Sequence, residues 1–391
     1  MLDFTFHPKT KIFFGKTSLS QLPTAVTETS TQGVLLHYGQ GSAVKSGLID
    51  RTKGLLDEAG IRYIELSGVQ PNPRLSLVRE GIALCKAHNL GLVLAIGGGS
   101  VIDSAKAIGV GGVDDGDVWD FFTRTRTYDK TLPVGVILTL ASAGSETSAN
   151  CVIRNEDENT KRSLLSDVVR PAFAIINPEL AFGVNSYTLA CGITDTIMHT
   201  LDRYFSHPGD TQLTDRISEG VLTTTMHVAK VLMDTPADYP AMANLFWASA
   251  LSHNSLTEVG KVRDFSVHAM ERGISGSFDT AHPASLAMLW PVWARYVYQK
   301  DVQRFAQFAV NVMGVTGDET NPEATALAGI VAMEGFFKTI GMPSNFAELG
   351  VTPTDEQITE IAHFAHLASP EIGTFYVLTP TDTIHILNAC R

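Results

Sequence analysis

The chain has 391 residues and a net charge of −12. That length exceeds what one compact core serves, so two domains are expected. The acidic balance excludes nucleic acid and anionic membrane surfaces as partners, but not anionic cofactors, which loops and helix ends bind whatever the net charge.

Taken in order, FTFHP and KIFFG read as a short antiparallel pair. GVLLHYG, residues 33–39, is a buried strand ending in a glycine loop, followed by a helix over 46–59. RYIELSG is a second strand, 73–89 a helix, and GLVLAIGGGS a third strand running into glycines. VIDSAKAIGVG is helical, 134–141 a further strand, and FAIINPEL, 173–180, the last. Continuous apolar strands alternating with helices indicate a parallel sheet covered on both faces. From residue 186 the pattern is helical nearly to the end, with breaks at 208–210, 236–240, 273–283 and 314–322. The expectation is an α/β dinucleotide-type domain over 1–182 and an all-α domain over 183–391.

Four cysteines, Cys85, Cys151, Cys191 and Cys390, form no C-x-x-C pair, which suits a reduced, cytoplasmic protein. The start shows no basic segment followed by an apolar core, and no apolar stretch reaches membrane-spanning length.

The strongest local signal of the first half is strand, GGGS, helix. Gly97, Gly98 and Gly99 let backbone approach a ligand without Cβ obstruction, and Ser100 is expected to cap the helix. A helix N-terminus there is an anion site. A tight turn with no ligand is the plainer alternative, because GGGS is not the G-x-G-x-x-G fingerprint. The loop YGQGSAVKSG is a second glycine-rich turn, with Gly39, Gly41, Ser42 and Lys45 and no acid. A carboxylate there would repel a 2′-phosphate, so its absence favours NADP(H) over NAD(H). Glu65, late in the second strand, argues the other way, since an acid there commonly holds the ribose 2′-OH.

In the second half, Asp195 and His199 are four residues apart and face the same way on a helix. His268 and His282 follow fourteen apart. Three imidazoles and a carboxylate suit one divalent transition metal, Fe2+ or Zn2+. The ordinary alternative is chance, among twelve histidines, with Asp195 solvated and His282 in a turn before Pro283.

LAIGGGSVIDSAKAI, ILTLASAGSETSANCVI, INPELAFGV, GITDTIMHTLDRYF and the two later histidines occur in one order. In that order the chain resembles the iron-containing, or group III, alcohol dehydrogenase family. SGVQPNPRLS and YGQGS look most like its NADP-dependent butanol dehydrogenase and broad aldehyde reductase branch. The resemblance implies a Rossmann-like domain and a helical domain with the site in the cleft between them, and a homodimer joined through N-terminal strands. It implies Asp195, His199, His268 and His282 as metal ligands, Gly97 to Ser100 cradling the pyrophosphate, and Asp103 nearby. Thr139 and Ser142 would line the adenine and ribose side with Ser145 near them, and Lys161 would contact the ribose near the nicotinamide.

Three positions depart from the family. Arg272 stands where a histidine usually follows the third ligand, Pro283 replaces a glycine, and Asp202 replaces a helix-facing glutamate. Arg272 stays protonated. Turned toward the substrate it would offer an acidic aldehyde a fixed charge, and turned outward it would face solvent. The expected activity is metal-dependent, NAD(P)H-linked interconversion of a primary alcohol and an aldehyde, with the metal as Lewis acid and the cofactor carrying hydride. Two other readings stand beside it. One is a lyase or synthase resembling the dehydroquinate synthases, and the other a non-catalytic nucleotide-binding protein with an altered metal site. Trp119, Phe121, Phe122 and Phe265 are candidate pocket aromatics or equally core residues.

Overall fold

The computed structural model describes the chain except Asn159, Pro208, Gly209, Ala368 and the side chain of Ser42. It forms two compact units, one of His7–Val184 with Pro236–Asn254, the other of Met1–Phe6, Asn185–Thr235 and Ser255–Arg391. The change at Val184 lies near the division expected at 182, and two segments, at the start and at Pro236–Asn254, stand on the other side of it.

The first unit is built on eight strands: β1 (Lys11–Phe14), β2 (Gly33–Gly39), β3 (Tyr63–Val69), β4 (Leu90–Gly97), β5 (Val134–Leu138), β6 (Asn150–Asn155), β7 (Thr160–Leu165) and β8 (Phe173–Ile176). Six of them form a parallel sheet in the order β1-β8-β5-β4-β2-β3. Every residue of β4 is buried, as its unbroken apolar run requires of a strand covered on both faces. Helices Leu22–Thr29 and Leu48–Glu58 bring Leu22, Val26, Leu48 and Leu56 onto Val34, Leu36, Leu92 and Leu94. His37, within β2, is wholly buried, with Nδ1 3.0 Å from the Leu66 carbonyl and Nε2 2.8 Å from Ser104 Oγ. Burial pushes its pKa down to about 4, so it is neutral and structural.

Two expectations are corrected here. FTFHP forms no strand, and KIFF, instead of an antiparallel hairpin, supplies the parallel edge strand β1 against β8. The stretch 173–180 stops being a strand at Ile176, because Pro178 has no N–H to donate and opens a 3-10 turn that Asn177 caps through Glu179 N. The antiparallel pair β6–β7 was not foreseen; its polar alternation, NCVIRN against TKRSLL, carries no continuous apolar signal.

The other unit is helical, with Ser186–Tyr204, Gln212–Asp234, Ser266–Phe278 and His282–Val297 followed by four shorter or later helices to Asn388. Its core is aromatic: Phe205 stacks on Phe305 at 4.4 Å and meets Trp290, Trp293, Phe308 and Phe375. A satisfied polar network lies beside it. Arg304 bonds Asp215 at 2.6 Å and covers the Tyr204 ring at 3.7 Å, while Glu219 accepts from Tyr204, Gln307 and Asn311, each at 2.9 Å. Gly273 allows helix 266–278 its close approach to Asp355–Ala365, since a Cβ there would stand 2.5 Å from the Ile361 carbonyl oxygen. Among the described residues no helix is long and apolar enough to cross a membrane.

Candidate metal centre and dinucleotide loops

Three helices of the helical unit bring the proposed ligands together. Asp195 and His199 lie on successive turns of Ser186–Tyr204, with Asp195 Oδ1 3.5 Å from His199 Nε2. His268 is on the first turn of Ser266–Phe278, and its ring centroid is 4.5 Å from that of His199. His282 opens the helix His282–Val297, with Pro283 in the first turn where a missing N–H costs nothing. His282 Nε2 is 3.9 Å from Asp195 Oδ1, and the His268 and His282 ring centroids are 5.3 Å apart. Asp195, His268 and His282 each offer a ligand atom within 4.8 Å of the others, and His199 adjoins them through Asp195 and His268.

The donor set is the one a divalent transition metal takes. One atom tests the fit. His268 is 4% exposed and its Nε2 has no hydrogen-bond partner, a costly state for a buried ring nitrogen that a cation relieves. The nitrogen on the other side of that ring, Nδ1, is 2.5 Å from Asp202 Oδ2. His282 Nδ1 likewise lies against the carboxylate of Glu271, which is wholly buried. In the sequence Asp202 stands out only as a departure from the family, and nothing marks Glu271. Its contact is made across two helices, which spacing along one helix does not reveal.

Phe265 precedes helix 266–278 at φ +60, a conformation uncommon for a residue with a side chain. Its ring packs on His199 and His268 at 5.9 and 4.9 Å and lies between the guanidiniums of Arg203 and Arg263, at 4.8 and 5.1 Å. Of the four aromatics singled out, this one borders the ligands. Trp119, Phe121 and Phe122 form a buried turn of helix in the other unit, with Trp119 Nε1 bonded to Glu158 at 3.2 Å. Arg272 is half-buried one turn beyond His268, with Glu271 and Asp202 as charged neighbours that raise its pKa against a larger lowering by burial.

In the α/β unit, the two glycine loops leave the carboxyl ends of neighbouring strands, β2 at Gly39 and β4 at Gly97. Strand β2 is followed by β3 on one side and β4 on the other, so the loops stand at the point where the strand order reverses, the usual ligand crevice of such sheets. Helix Gly99–Gly112 starts two residues earlier than expected, with Gly98 in the capping position and no side chain capping it. Ser100 is therefore inside the first turn and is not the cap. Nothing lies within 4 Å of where a Cβ would stand on Gly99 or Gly41, whereas a Cβ on Gly97 would meet Val101 Cγ2 at 2.5 Å. The first two glycines keep space open; Gly97 allows the strand-to-helix turn to close.

Thr139 follows β5 and donates its N–H to the Gly97 carbonyl at 3.1 Å. Ser142 donates its N–H to Ser249 Oγ at 3.1 Å. Asp103 accepts from Ser145 Oγ at 2.6 Å and from Val152 N at 2.9 Å. Burial raises the Asp103 pKa, and Lys106 and Lys161 oppose that rise. Lys161, in β7, is thus electrostatically joined to Asp103. The Ser42 side chain lies outside the described residues, though its backbone opens the short helix Ser42–Lys45. Glu65 is the third residue of β3, paired with Leu36, and so lies early in the strand and not late in it as expected. Its carboxylate accepts from the Tyr38 hydroxyl at 2.6 Å and pairs with Lys53 at 2.9 Å.

Lys106 was missed altogether. It is wholly buried and its ammonium donates to the Ser145, Ser148 and Asn150 carbonyls at 2.7, 3.1 and 2.8 Å, and lies within 3.1 Å of both serine hydroxyls. Burial lowers its pKa to about 8. A lone lysine inside VIDSAKAIGVG, otherwise apolar on that side, was the available signal.

The family model described as iron-containing alcohol dehydrogenase matches residues 8–178, and that of the Fe-containing alcohol dehydrogenase family C-terminal region matches 189–390. The NADH-dependent butanol dehydrogenase A of Clostridium acetobutylicum is 38% identical over 90% of each chain. The NADPH-dependent aldehyde reductase YqhD of Escherichia coli is 29% identical, again over 90% of each. The crystal structure of NADH-dependent butanol dehydrogenase A from Thermotoga maritima superposes with a TM-score of 0.95 at 33% identity, covering all of this chain and 99% of that one.

Proposed function

Since the chain belongs to the iron-containing alcohol dehydrogenase family, we propose that it is a metal-dependent, NAD(P)H-linked enzyme that interconverts a primary alcohol and an aldehyde. The observation that carries this is the convergence of Asp195, His268 and His282 around a buried, unpartnered His268 Nε2. Asp195, His199, His268 and His282 would hold the cation. When bound, the cation supplies Lewis acidity toward the substrate oxygen and the dinucleotide supplies or accepts hydride. Phe265 would exclude water from the imidazoles it covers.

Gly39, Gly41 and Gly97 to Ser100 would receive the dinucleotide's phosphates at the uncapped end of helix 99–112. Thr139, Ser142 and Lys161 would contact its sugar side. Asp103, Ser145 and Lys106 form the brace beneath them, so their part is to hold the loop. The named relatives are dehydrogenases and reductases, which favours this reading over the synthase and non-catalytic ones.

NADPH is proposed as the preferred cofactor. The Tyr38–Gly47 loop has no acid, and the nearby carboxylate of Glu65 is engaged by Tyr38 and Lys53. Two of the relatives are named for NADH and one for NADPH, so the names do not favour this choice. Comparing kcat/KM for the two cofactors with butanal decides it; a preference for NADH would overturn the assignment. A homodimer is proposed from the exposed Leu2, Phe4 and Phe6 of the first segment, and a cytoplasmic location from four buried, free thiols.

The test of the activity is cofactor consumption with a panel of aldehydes, before and after chelation. Activity that survives complete removal of metal would refute the reading.

A further inference from the structure

We propose that Asp202 and Glu271 are positioning residues of the metal centre, each gripping one ligand imidazole at Nδ1 so that its Nε2 is presented to the cation. The inference rests on the reading of Asp195, His199, His268 and His282 as ligands and extends it to two residues outside that set.

The arrangement repeats. On helix Ser186–Tyr204, Asp202 stands three residues past the ligand His199, one turn on, and its carboxylate reaches His268 Nδ1 at 2.5 Å. On helix Ser266–Phe278, Glu271 stands three residues past the ligand His268, and its carboxylate lies against His282 Nδ1. Each helix thus offers a ligand and, one turn later, a carboxylate that serves the ligand of the next helix. An imidazole that donates from Nδ1 keeps its lone pair at Nε2, and a carboxylate partner makes that lone pair a stronger donor. The unpartnered His268 Nε2 is the atom this tautomer leaves open.

The charges are consistent with it. Asp202 is 2% exposed and Glu271 wholly buried, and such carboxylates persist only when hydrogen-bonded and electrically answered. Asp202 takes its bond from the His268 Nδ1–H, and Glu271 stands in ion-pair contact with His282 Nδ1. Arg272 has both carboxylates as charged neighbours. Arg272 thus places a positive charge beside both carboxylates. The arginine that departs from the family therefore accompanies a carboxylate placed directly before it.

The experiment measures Zn2+ affinity by competition with a chromophoric chelator for the wild type, Glu271→Gln, Glu271→Ala and Asp202→Asn. Thermal unfolding of each metal-free form is followed in parallel. Roughly 10- to 100-fold weaker Zn2+ binding is expected in Asp202→Asn and Glu271→Ala, the range typical for lost partners of metal-bound histidines. Glu271→Gln, which keeps an acceptor but loses the charge, should fall between wild type and Glu271→Ala. Metal-free unfolding midpoints should be unchanged in Glu271→Gln and Asp202→Asn. Wild-type Zn2+ affinity in all three variants would overturn the proposal, and so would weakened binding that merely follows a loss of metal-free stability. A wild type that binds no Zn2+ would instead refute the ligand assignment beneath it.

Discussion

Arg272 carries two demands at once. It neighbours the Glu271 and Asp202 carboxylates, and it stands partly buried one turn from His268, a proposed metal ligand. We propose that its guanidinium offers an acidic aldehyde a charged partner, a contact of about 1.5–3 kcal/mol for a charge-assisted bond. Arg272→His, which restores the residue usual in the family, should lower kcat/KM for a carboxylate-bearing aldehyde by about ten-fold or more and leave butanal little changed. Equal effects on both substrates would show that the arginine takes no part in reading substrate charge. Glu146 makes a second residue-scale prediction. It is 1% exposed, its Oε1 has no hydrogen-bond partner, and burial raises its pKa to about 7 against an opposing Lys106. The folded state then keeps a proton that the unfolded chain gives up near pH 4.5, so stability falls as pH rises through about 4.5 to 7. Glu146→Gln should flatten that decline in a denaturation series, by a few kcal/mol at most at about 1.4 kcal/mol per pH unit. An unaltered pH profile would show that the carboxyl titrates normally.

At the scale of elements, the turn from β4 into helix 99–112 separates two kinds of glycine. Gly97→Ala forces a Cβ onto Val101 and should destabilise the fold by about 1–3 kcal/mol. Gly99→Ala meets nothing within 4 Å and should keep or slightly raise the melting temperature, since alanine is the better helix former. It should nonetheless weaken dinucleotide binding by about ten-fold or more by filling the space the phosphates need. Undiminished binding in Gly99→Ala would remove this loop from the cofactor site. Much of this was legible in the sequence. The unbroken apolar run of β4, its glycines and the i, i+4 pair Asp195–His199 each carry their geometry in local spacing. What was not legible depends on partners far away in the chain. KIFF pairs with β8 some 160 residues on, and parallel pairing at that range leaves no local turn signal. Serine is the residue that usually caps a helix, which points to Ser100, yet the helix begins two residues sooner. Lys106, Asp202 and Glu271 owe their roles to oxygens and nitrogens on other elements, which no periodicity reports.

At the scale of the whole molecule, the glycine loops proposed for the cofactor belong to one compact unit and the proposed metal ligands to the other. The two binding events should therefore separate on mutation. His268→Ala should lose the metal and turnover while NADPH still binds with near wild-type affinity. Gln40→Asp, in the acid-free loop of the α/β unit, should lower kcat/KM for NADPH relative to NADH while leaving metal content unchanged; an unmoved ratio would show that this loop does not meet the 2′-phosphate. The exposed apolar side chains of the first six residues predict a dimer in solution by light scattering, and a monomer at micromolar concentration would contradict it. The central claim is that Asp195, His199, His268 and His282 hold a divalent metal on which aldehyde reduction depends. Metal content and butanal reduction, measured on the same samples through chelation and stepwise return of Fe2+ or Zn2+, test it most directly. About one metal ion per chain is expected, with activity that falls and recovers in proportion to occupancy, whereas full turnover in metal-free protein would contradict it.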